Sequence, residues 1–139
     1  MFSFSTKIRV HYALTDQMGV VYHGHYAQFF EIARTESIRS LGFSYKELEA
    51  MGIMLPVTDM HTRFLRPIHY DDLITVTVTL RELPQHHKIN YYGEIHNEAG
   101  TLMTSGTVTL YFLDRKTMKK VAVPENMLEQ LRPFYPSAE

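Results

Sequence analysis

The sequence predicts an α+β fold, in which an antiparallel sheet of about five strands wraps around one long helix. Apolar residues recur at helical spacing over residues 23–41, whereas the chain after residue 53 mostly alternates with the two-residue period of strands. One helix followed by a run of strands packs most economically as an antiparallel sheet curled around that helix. With 139 residues in all, we expect a single domain over 1–139.

The first predicted elements are a strand, a connector and the long helix. Residues 3–13 alternate between apolar and polar side chains, which is typical of a half-buried strand. Gly19 marks the tightest point of the connector over 14–22. The apolar stripe of the helix consists of Tyr26, Phe29, Phe30, Ala33, Ser37 and Leu41.

Capping residues predict where the helices end. Gly42 is expected to end the long helix as its C-terminal cap. Ser44 and Glu47 have the spacing of a capping box, which predicts a second helix from there to Met51, and Gly52 then ends it.

The remainder of the chain predicts strands at 57–65, 73–83, 87–97 and 101–113, of which the last two form a hairpin. A short strand is predicted at 120–122, and Pro124 is expected at the first position of a helix over 124–131. A sheet of this kind leaves an edge strand exposed. We therefore expect copies of the chain to pair as a homodimer or homotetramer.

The composition argues against several classes of function. A formal net charge of −1 argues against nucleic acid as the main partner, and the absence of cysteine removes disulfides, thiolate metal sites and cysteine nucleophiles. The first residues lack the charged start and apolar run of a signal peptide, and no stretch is long and apolar enough to span a membrane. We therefore expect a cytoplasmic protein without membrane insertion.

The stretch from Thr15 to Glu36 resembles a family signature. The matching residues are Thr15-Asp16, Gly19-Val20-Val21-Tyr22-His23, Tyr26 and Phe30-Glu31-Ile32-Ala33-Arg34-Thr35-Glu36. They are similar to the 4-hydroxybenzoyl-CoA thioesterase family of hotdog-fold proteins, and to its branch with the thioesterases of Tol-Pal gene clusters. A second matching segment runs from Phe64 to Leu73.

The resemblance implies both a fold and a reaction. The fold is the hotdog fold, an antiparallel sheet around a central helix. The reaction is hydrolysis of an acyl-CoA to a free carboxylic acid and CoA, with no metal or redox cofactor. Short aliphatic, long aliphatic and aromatic acyl groups all stay open, as does acyl carrier protein in place of CoA.

The resemblance also implies the catalytic residues. Asp16 would be the catalytic carboxylate, either attacking the acyl carbon or taking a proton from water. His23 follows seven residues later at the predicted helix start, where free N–H groups can stabilise charge on a carbonyl oxygen. Its backbone N–H would be the oxyanion donor. Tyr22, Gly24 and Tyr26 are further candidates for substrate contact.

Each of these residues also has a structural interpretation. An aspartate in a loop often caps its own turn, a histidine at a helix start is often exposed, and Tyr22 could be part of the core. Glu31 is an alternative catalytic base, although the Glu31–Arg34 and Glu36–Arg39 spacings first suggest salt bridges on an exposed or interface face.

Other charged residues give weaker signals. His23 and His25 alone are a poor metal motif, so no metal is expected, and the scattered histidines are expected at the surface. The candidates for CoA phosphate contact are Arg63, Arg66, Lys88 and Arg115, which nothing distinguishes from ordinary surface charges. Two other functions compete with hydrolysis: an acyl-thioester hydratase or dehydratase, and a non-catalytic acyl-CoA-binding module.

Overall fold

An antiparallel five-stranded sheet forms the larger part of the computed structural model, which describes residues 1–136. The last three residues of the expected domain, 137–139, lie outside the described residues. The strands, numbered along the chain, are β1 (Phe2–Arg9), β2 (Ile53–Met54), β3 (Val57–Phe64), β4 (Leu73–Leu80), β5 (Lys88–His96), β6 (Leu102–Tyr111) and β7 (Leu113–Asp114). The main sheet has the order β1–β4–β5–β6–β3, and β2 pairs with β7 beside it.

Helices α1 (Tyr26–Ser40), α2 (Tyr45–Ala50) and α3 (Glu125–Leu131) accompany the sheet. Gly42 follows α1 with a φ of +90°, and the Ser44 hydroxyl accepts a hydrogen bond from the Glu47 N–H, so both predicted caps are confirmed. The predicted α+β architecture and its long strands are confirmed as well. Within residues 1–136, no helix combines the length and apolarity required to cross a bilayer.

The apolar stripe of α1 faces the sheet. Its buried members are Tyr26, Phe29, Phe30, Ala33 and Ser37. The helix lies against β1 and β4, where every second residue of β4, such as Ile74 and Val76, is fully buried. The apolar stripe of the helix therefore packs on the inward-facing side chains of the strands, as the helical and strand periods predict.

Strand β5 has a glycine beneath the Phe30 ring of α1. A Cβ atom on Gly93 would lie 2.4 Å from Cε1 of Phe30, a distance at which the two atoms would overlap. The lack of a side chain at Gly93 therefore lets the Phe30 ring lie directly on the sheet. This contact sets the distance between α1 and β5.

Several predicted boundaries are wrong, including the ends of the strands predicted over 3–13 and 73–83, which stop at Arg9 and Leu80. The α-helix begins at Tyr26 because residues His23–His25 form a tighter 3₁₀ turn, a common start for helices. Residues 120–122 form only one bridge, from Lys120 to Leu113, so the short strand predicted there is not formed. Pro124 has an extended ψ of 134° and is the N-cap of α3, one position before the helix.

The predicted salt bridge between Glu31 and Arg34 is also wrong. Arg34 lies four residues after Phe30, so it continues the buried stripe and is only 5% exposed, whereas Glu31 is exposed. Among the described residues, Arg34 forms no salt bridge. The second predicted pair, Glu36 and Arg39, is confirmed at 3.5 Å on the exposed side of the helix.

The edge strand β3 is the least covered part of the sheet. Seven of its eight residues are exposed, including Val57, Met60 and Phe64. Met60 and Phe64 pair across from Val108 and Thr104 of β6, both of which are buried. The inward face of β3 thus continues the core surface of the sheet but carries no cover in the free chain.

The Gly93–Phe30 contact can be tested by adding and then removing one side-chain group. Gly93→Ala should lower the free energy of unfolding by about 1–3 kcal/mol, because the new methyl group overlaps the ring. Phe30→Leu in the Gly93→Ala background should cost less than Phe30→Leu alone, since the overlap is then relieved. Chemical denaturation of the four proteins measures this coupling. Additive effects of the two substitutions would contradict the contact.

Candidate active site

Asp16 lies in a tight turn that its own side chain stabilises. The N–H of Gly19 donates to the carbonyl oxygen of Asp16 at 3.1 Å, and the N–H of Met18 donates to its Oδ1 at 2.8 Å. Gly19 has a φ of +78°, in the left-handed region that glycine adopts at little cost. The turn-capping interpretation of Asp16 is therefore confirmed.

The turn still leaves half of the carboxylate available. Oδ2 of Asp16 takes part in no hydrogen bond or salt bridge within residues 1–136. The bond from the Met18 N–H to Oδ1 restricts rotation of the carboxylate, and Oδ2 keeps its capacity to accept a hydrogen bond.

Backbone hydrogen bonds fix the loop that carries Asp16. Its N–H donates to the carbonyl of Val20 at 2.8 Å, and the N–H of Tyr22 donates to that of Leu14 at 3.0 Å. The N–H of Val21 donates to the carbonyl of the fully buried Ile68 at 2.7 Å. The loop is therefore anchored to the core immediately before β4.

The start of the helix provides free donors. The N–H groups of His25 and Tyr26 donate to the carbonyls of Tyr22 and His23, which closes the 3₁₀ turn. The N–H groups of His23 and Gly24 are donors in none of the described backbone hydrogen bonds. They lie at the positive end of the helix dipole, where an anionic oxygen is stabilised.

An open depression of about 300 Å³ brings the carboxylate and the helix start together. Its wall is made of Asp16, Val20, Val21, His23, Tyr26 and the segment 64–67. Of the candidate residues, Asp16, His23 and Tyr26 thus share one site. The depression can hold a carbonyl group between a carboxylate and backbone donors.

Tyr22 and Gly24 lie beside this depression and do not line it. The Tyr22 ring is 48% exposed, with its centroid 4.3 Å from that of the His23 ring. A Cβ atom on Gly24 would lie 2.7 Å from Cε2 of Tyr22. Gly24 therefore makes room for the Tyr22 ring, which packs over the 3₁₀ turn.

Phe64 and its neighbours were not predicted as site residues. The Phe64 ring lies 4.8 Å from the ring of the buried Tyr26, between centroids, and Arg66 follows it in the wall of the depression. Burial raises the pKa of the Tyr26 hydroxyl, so the side chain stays neutral. The wall contacts α1 although the two segments lie far apart in the chain, so local patterns could not predict it. The second matching segment was the only sequence signal for this wall.

The other charged candidates lie elsewhere. Glu31 is exposed on α1, and neither Glu31 nor Arg63, Lys88 or Arg115 lines the depression. No group of three or more His, Asp or Glu side chains suited to a metal ion occurs among residues 1–136.

Two histidines that were predicted at the surface, His87 and His96, are half-buried instead. His87 is half-buried and its Nε2 has no partner. Its burial, together with the charges of Lys120 and Lys88, lowers its pKa. The imidazole therefore lies in the sheet as a neutral ring, edge-on to Tyr111.

Comparison with known proteins gives consistent matches. The model of the Thioesterase-like superfamily matches residues 10–131. The acyl-CoA thioesterase YbgC of Haemophilus influenzae is 35% identical over 126 residues, which are 89% of this chain and 90% of that protein. The acyl-CoA thioester hydrolase YbgC of Escherichia coli is 30% identical over 93% of this chain and 96% of its own length.

A solved structure matches the fold. The crystal structure of a DHNA-CoA thioesterase from Staphylococcus aureus superposes with a TM-score of 0.83 at 36% identity, over 98% of this chain and 85% of that chain. The antiparallel sheet and long helix are common to both, so the predicted hotdog fold is confirmed.

The conformation of Gly19 can be tested by substitution. Gly19→Ala should lower the free energy of unfolding by about 1 kcal/mol, because a Cβ atom disfavours the left-handed region. Gly19→Asn should cost less, since asparagine enters this region more easily. No atom lies within 4 Å of a Cβ at this position, so a steric clash cannot explain the difference. Equal stability of the three proteins in chemical denaturation would contradict the argument.

Proposed function

Because the chain belongs to the thioesterase-like superfamily and is a thioesterase, we propose that it hydrolyses acyl-CoA through the carboxylate of Asp16. The backbone N–H of His23, at the start of the helix, holds the carbonyl oxygen. The observation that carries this proposal is the depression, whose wall includes both Asp16 and His23 at the start of the helix.

The reaction needs two contributions from the site. As the acyl carbon is attacked, negative charge develops on the carbonyl oxygen, and one fixed N–H donor at that position accelerates such reactions by about 10²–10³-fold. Oδ2 of Asp16 either attacks the acyl carbon, giving an anhydride that water then hydrolyses, or removes a proton from the attacking water. Both routes release CoA as its thiol and the acyl group as a carboxylic acid.

Among the four cationic candidates, Arg66 is the one whose position favours contact with the CoA part of the substrate. It lines the depression, whereas Arg63, Lys88 and Arg115 do not. A guanidinium group matches the geometry of a phosphate oxygen pair. His23 contributes its backbone, and its imidazole borders the same space, where it orients either the thioester or the water.

The exposed β3 strand supports a homodimer. An edge strand with unpaired backbone groups and exposed apolar side chains is a site for strand pairing. Two β3 strands related by a two-fold axis would run antiparallel and continue the sheet through both copies. Phe64 of one copy would then lie near Val57 of the other, because the axis exchanges the two ends of the strand. The depression at Asp16 would be completed by the second copy.

The role of Asp16 is tested by Asp16→Asn. The amide oxygen of asparagine can still accept the Met18 N–H, so the turn should persist while the base or nucleophile is lost. We expect kcat for acyl-CoA hydrolysis to fall by about 10²–10⁴-fold with KM little changed, measured as thiol release. The matched control is Asp114→Asn, since Asp114 caps another turn through the N–H groups of Lys116 and Thr117. Full activity of Asp16→Asn on every acyl-CoA that the wild type hydrolyses would refute the assignment.

The dimer is tested by a charge on the uncovered face of β3. Met60→Lys should raise the dimer dissociation constant by about tenfold or more, because a charge would be buried in the new interface. Met118→Lys is the control, since Met118 is equally exposed but lies outside the strands of the sheet. Light scattering across a dilution series gives the molar mass of each protein. A wild-type monomer, or a Met60→Lys protein as dimeric as the wild type, would contradict pairing through β3.

A further inference from the structure

The stretch 68–72, which leads into β4, holds the loop that carries Asp16. An antiparallel bridge pairs Val20 of the loop with His69, beside the hydrogen bond that the Ile68 carbonyl accepts from the loop. The N–H of Asp16 in turn donates to the carbonyl of Val20 at 2.8 Å. The position of Asp16 therefore depends on where the backbone of His69 lies.

The carboxylate of Asp72 holds His69. Its Oδ2 accepts a hydrogen bond from the His69 N–H at 2.9 Å, and the N–H of Asp72 donates to the His69 carbonyl at 3.2 Å. Both backbone polar groups of His69 are thus bound by one residue. Through His69 and its bridge to the loop, the Asp72 carboxylate is connected to Asp16.

Asp72 is itself fixed to the core. The N–H of Val10 donates to the Asp72 carbonyl at 2.9 Å, and the N–H of Asp71 donates to the Val10 carbonyl at 3.0 Å. Val10 directly follows β1 and is only 1% exposed. Asp72 therefore has a rigid attachment that does not depend on the loop of Asp16, and its carboxylate links that loop to the main sheet.

The turn over 69–72 is one that its own backbone favours only weakly. Asp71, the third residue of this turn, has a φ of +68°. Glycine is the residue that adopts such a φ without cost, so the turn with an aspartate there is less stable by itself. The hydrogen bond between Asp72 and His69 offsets this cost and keeps the turn closed.

We propose that Asp72 is a positioning residue for hydrolysis, which holds Asp16 in place through the backbone of the loop. Asp72 does not line the depression, so it acts through His69 and not on the substrate. Without its carboxylate the turn opens more often, and Asp16 spends less time in its place beside the helix start. A displacement of about 1 Å at a reacting group can cost about 100-fold in rate. This inference rests on the proposed function of Asp16.

The first test removes the carboxylate and then restores its acceptor. Asp72→Ala should lower kcat for acyl-CoA hydrolysis by about 10- to 100-fold, measured as thiol release. Asp72→Asn should retain most of the wild-type kcat, because its amide oxygen can accept the His69 N–H. KM should change less than kcat, since Leu65 and Arg66 in the wall of the depression are held separately by the Met103 carbonyl.

Asp114→Ala is the matched control. Asp114 also caps a turn with its carboxylate, but its partners, the N–H groups of Lys116 and Thr117, lie outside the loop of Asp16. This variant should lose stability in chemical denaturation and keep the wild-type kcat. If Asp72→Ala does not fold, Asp72→Glu carries the comparison, because the longer side chain displaces the carboxylate and should lower kcat in part.

Hydrogen exchange follows the loop without catalysis. The N–H groups of Asp16 and Val21 are both hydrogen-bonded, so their exchange rates report how often the loop opens. In Asp72→Ala, both should exchange about tenfold faster than in the wild type, as measured by NMR. Asp114→Ala should leave both rates unchanged. Exchange in Asp72→Ala that is as slow as in the wild type would overturn the inference.

A double variant decides whether Asp72 acts through Asp16. Added to Asp16→Asn, Asp72→Ala should lower the residual rate little further, because the effects of residues that act as a unit are not additive. A full additional loss would overturn the inference, as would an Asp72→Ala protein with the wild-type kcat or an equal loss of kcat in Asp114→Ala. Full activity of Asp16→Asn would instead contradict the proposed function itself.

Discussion

The burial of one face of α1 against the sheet is the constraint on which the site depends. Phe30 rests directly on the backbone of Gly93, and Tyr26 packs against Phe64 one turn earlier. These contacts fix where the helix begins relative to β3 and to the loop anchored at Ile68. Asp16 and the start of the helix line one depression because the core holds the helix there. The proposed catalytic geometry therefore depends on core packing.

The proposed function gives Asp16 a catalytic role in addition to its structural one. The bond from Met18 to Oδ1 removes rotational freedom that a surface carboxylate would otherwise have. Preorganisation of this kind lowers the cost of reaching a transition state, because the reacting group is already restricted before substrate binds. The cap would therefore support the proposed chemistry.

Sequence periodicity predicted the long elements, because helix and strand periods follow from which side chains face the core. Two-residue strands such as β2 and β7 have no period, so they could not be predicted. The i,i+3 spacing of Glu31 and Arg34 suggested a salt bridge, but the stripe that includes Phe30 decides where Arg34 points. Asp16 and His23 were predicted from a local motif, whereas Phe64 and Arg66 reach the site through a contact between distant segments. Local patterns therefore indicated Asp16 and His23, which share the depression, and missed much of the wall around them.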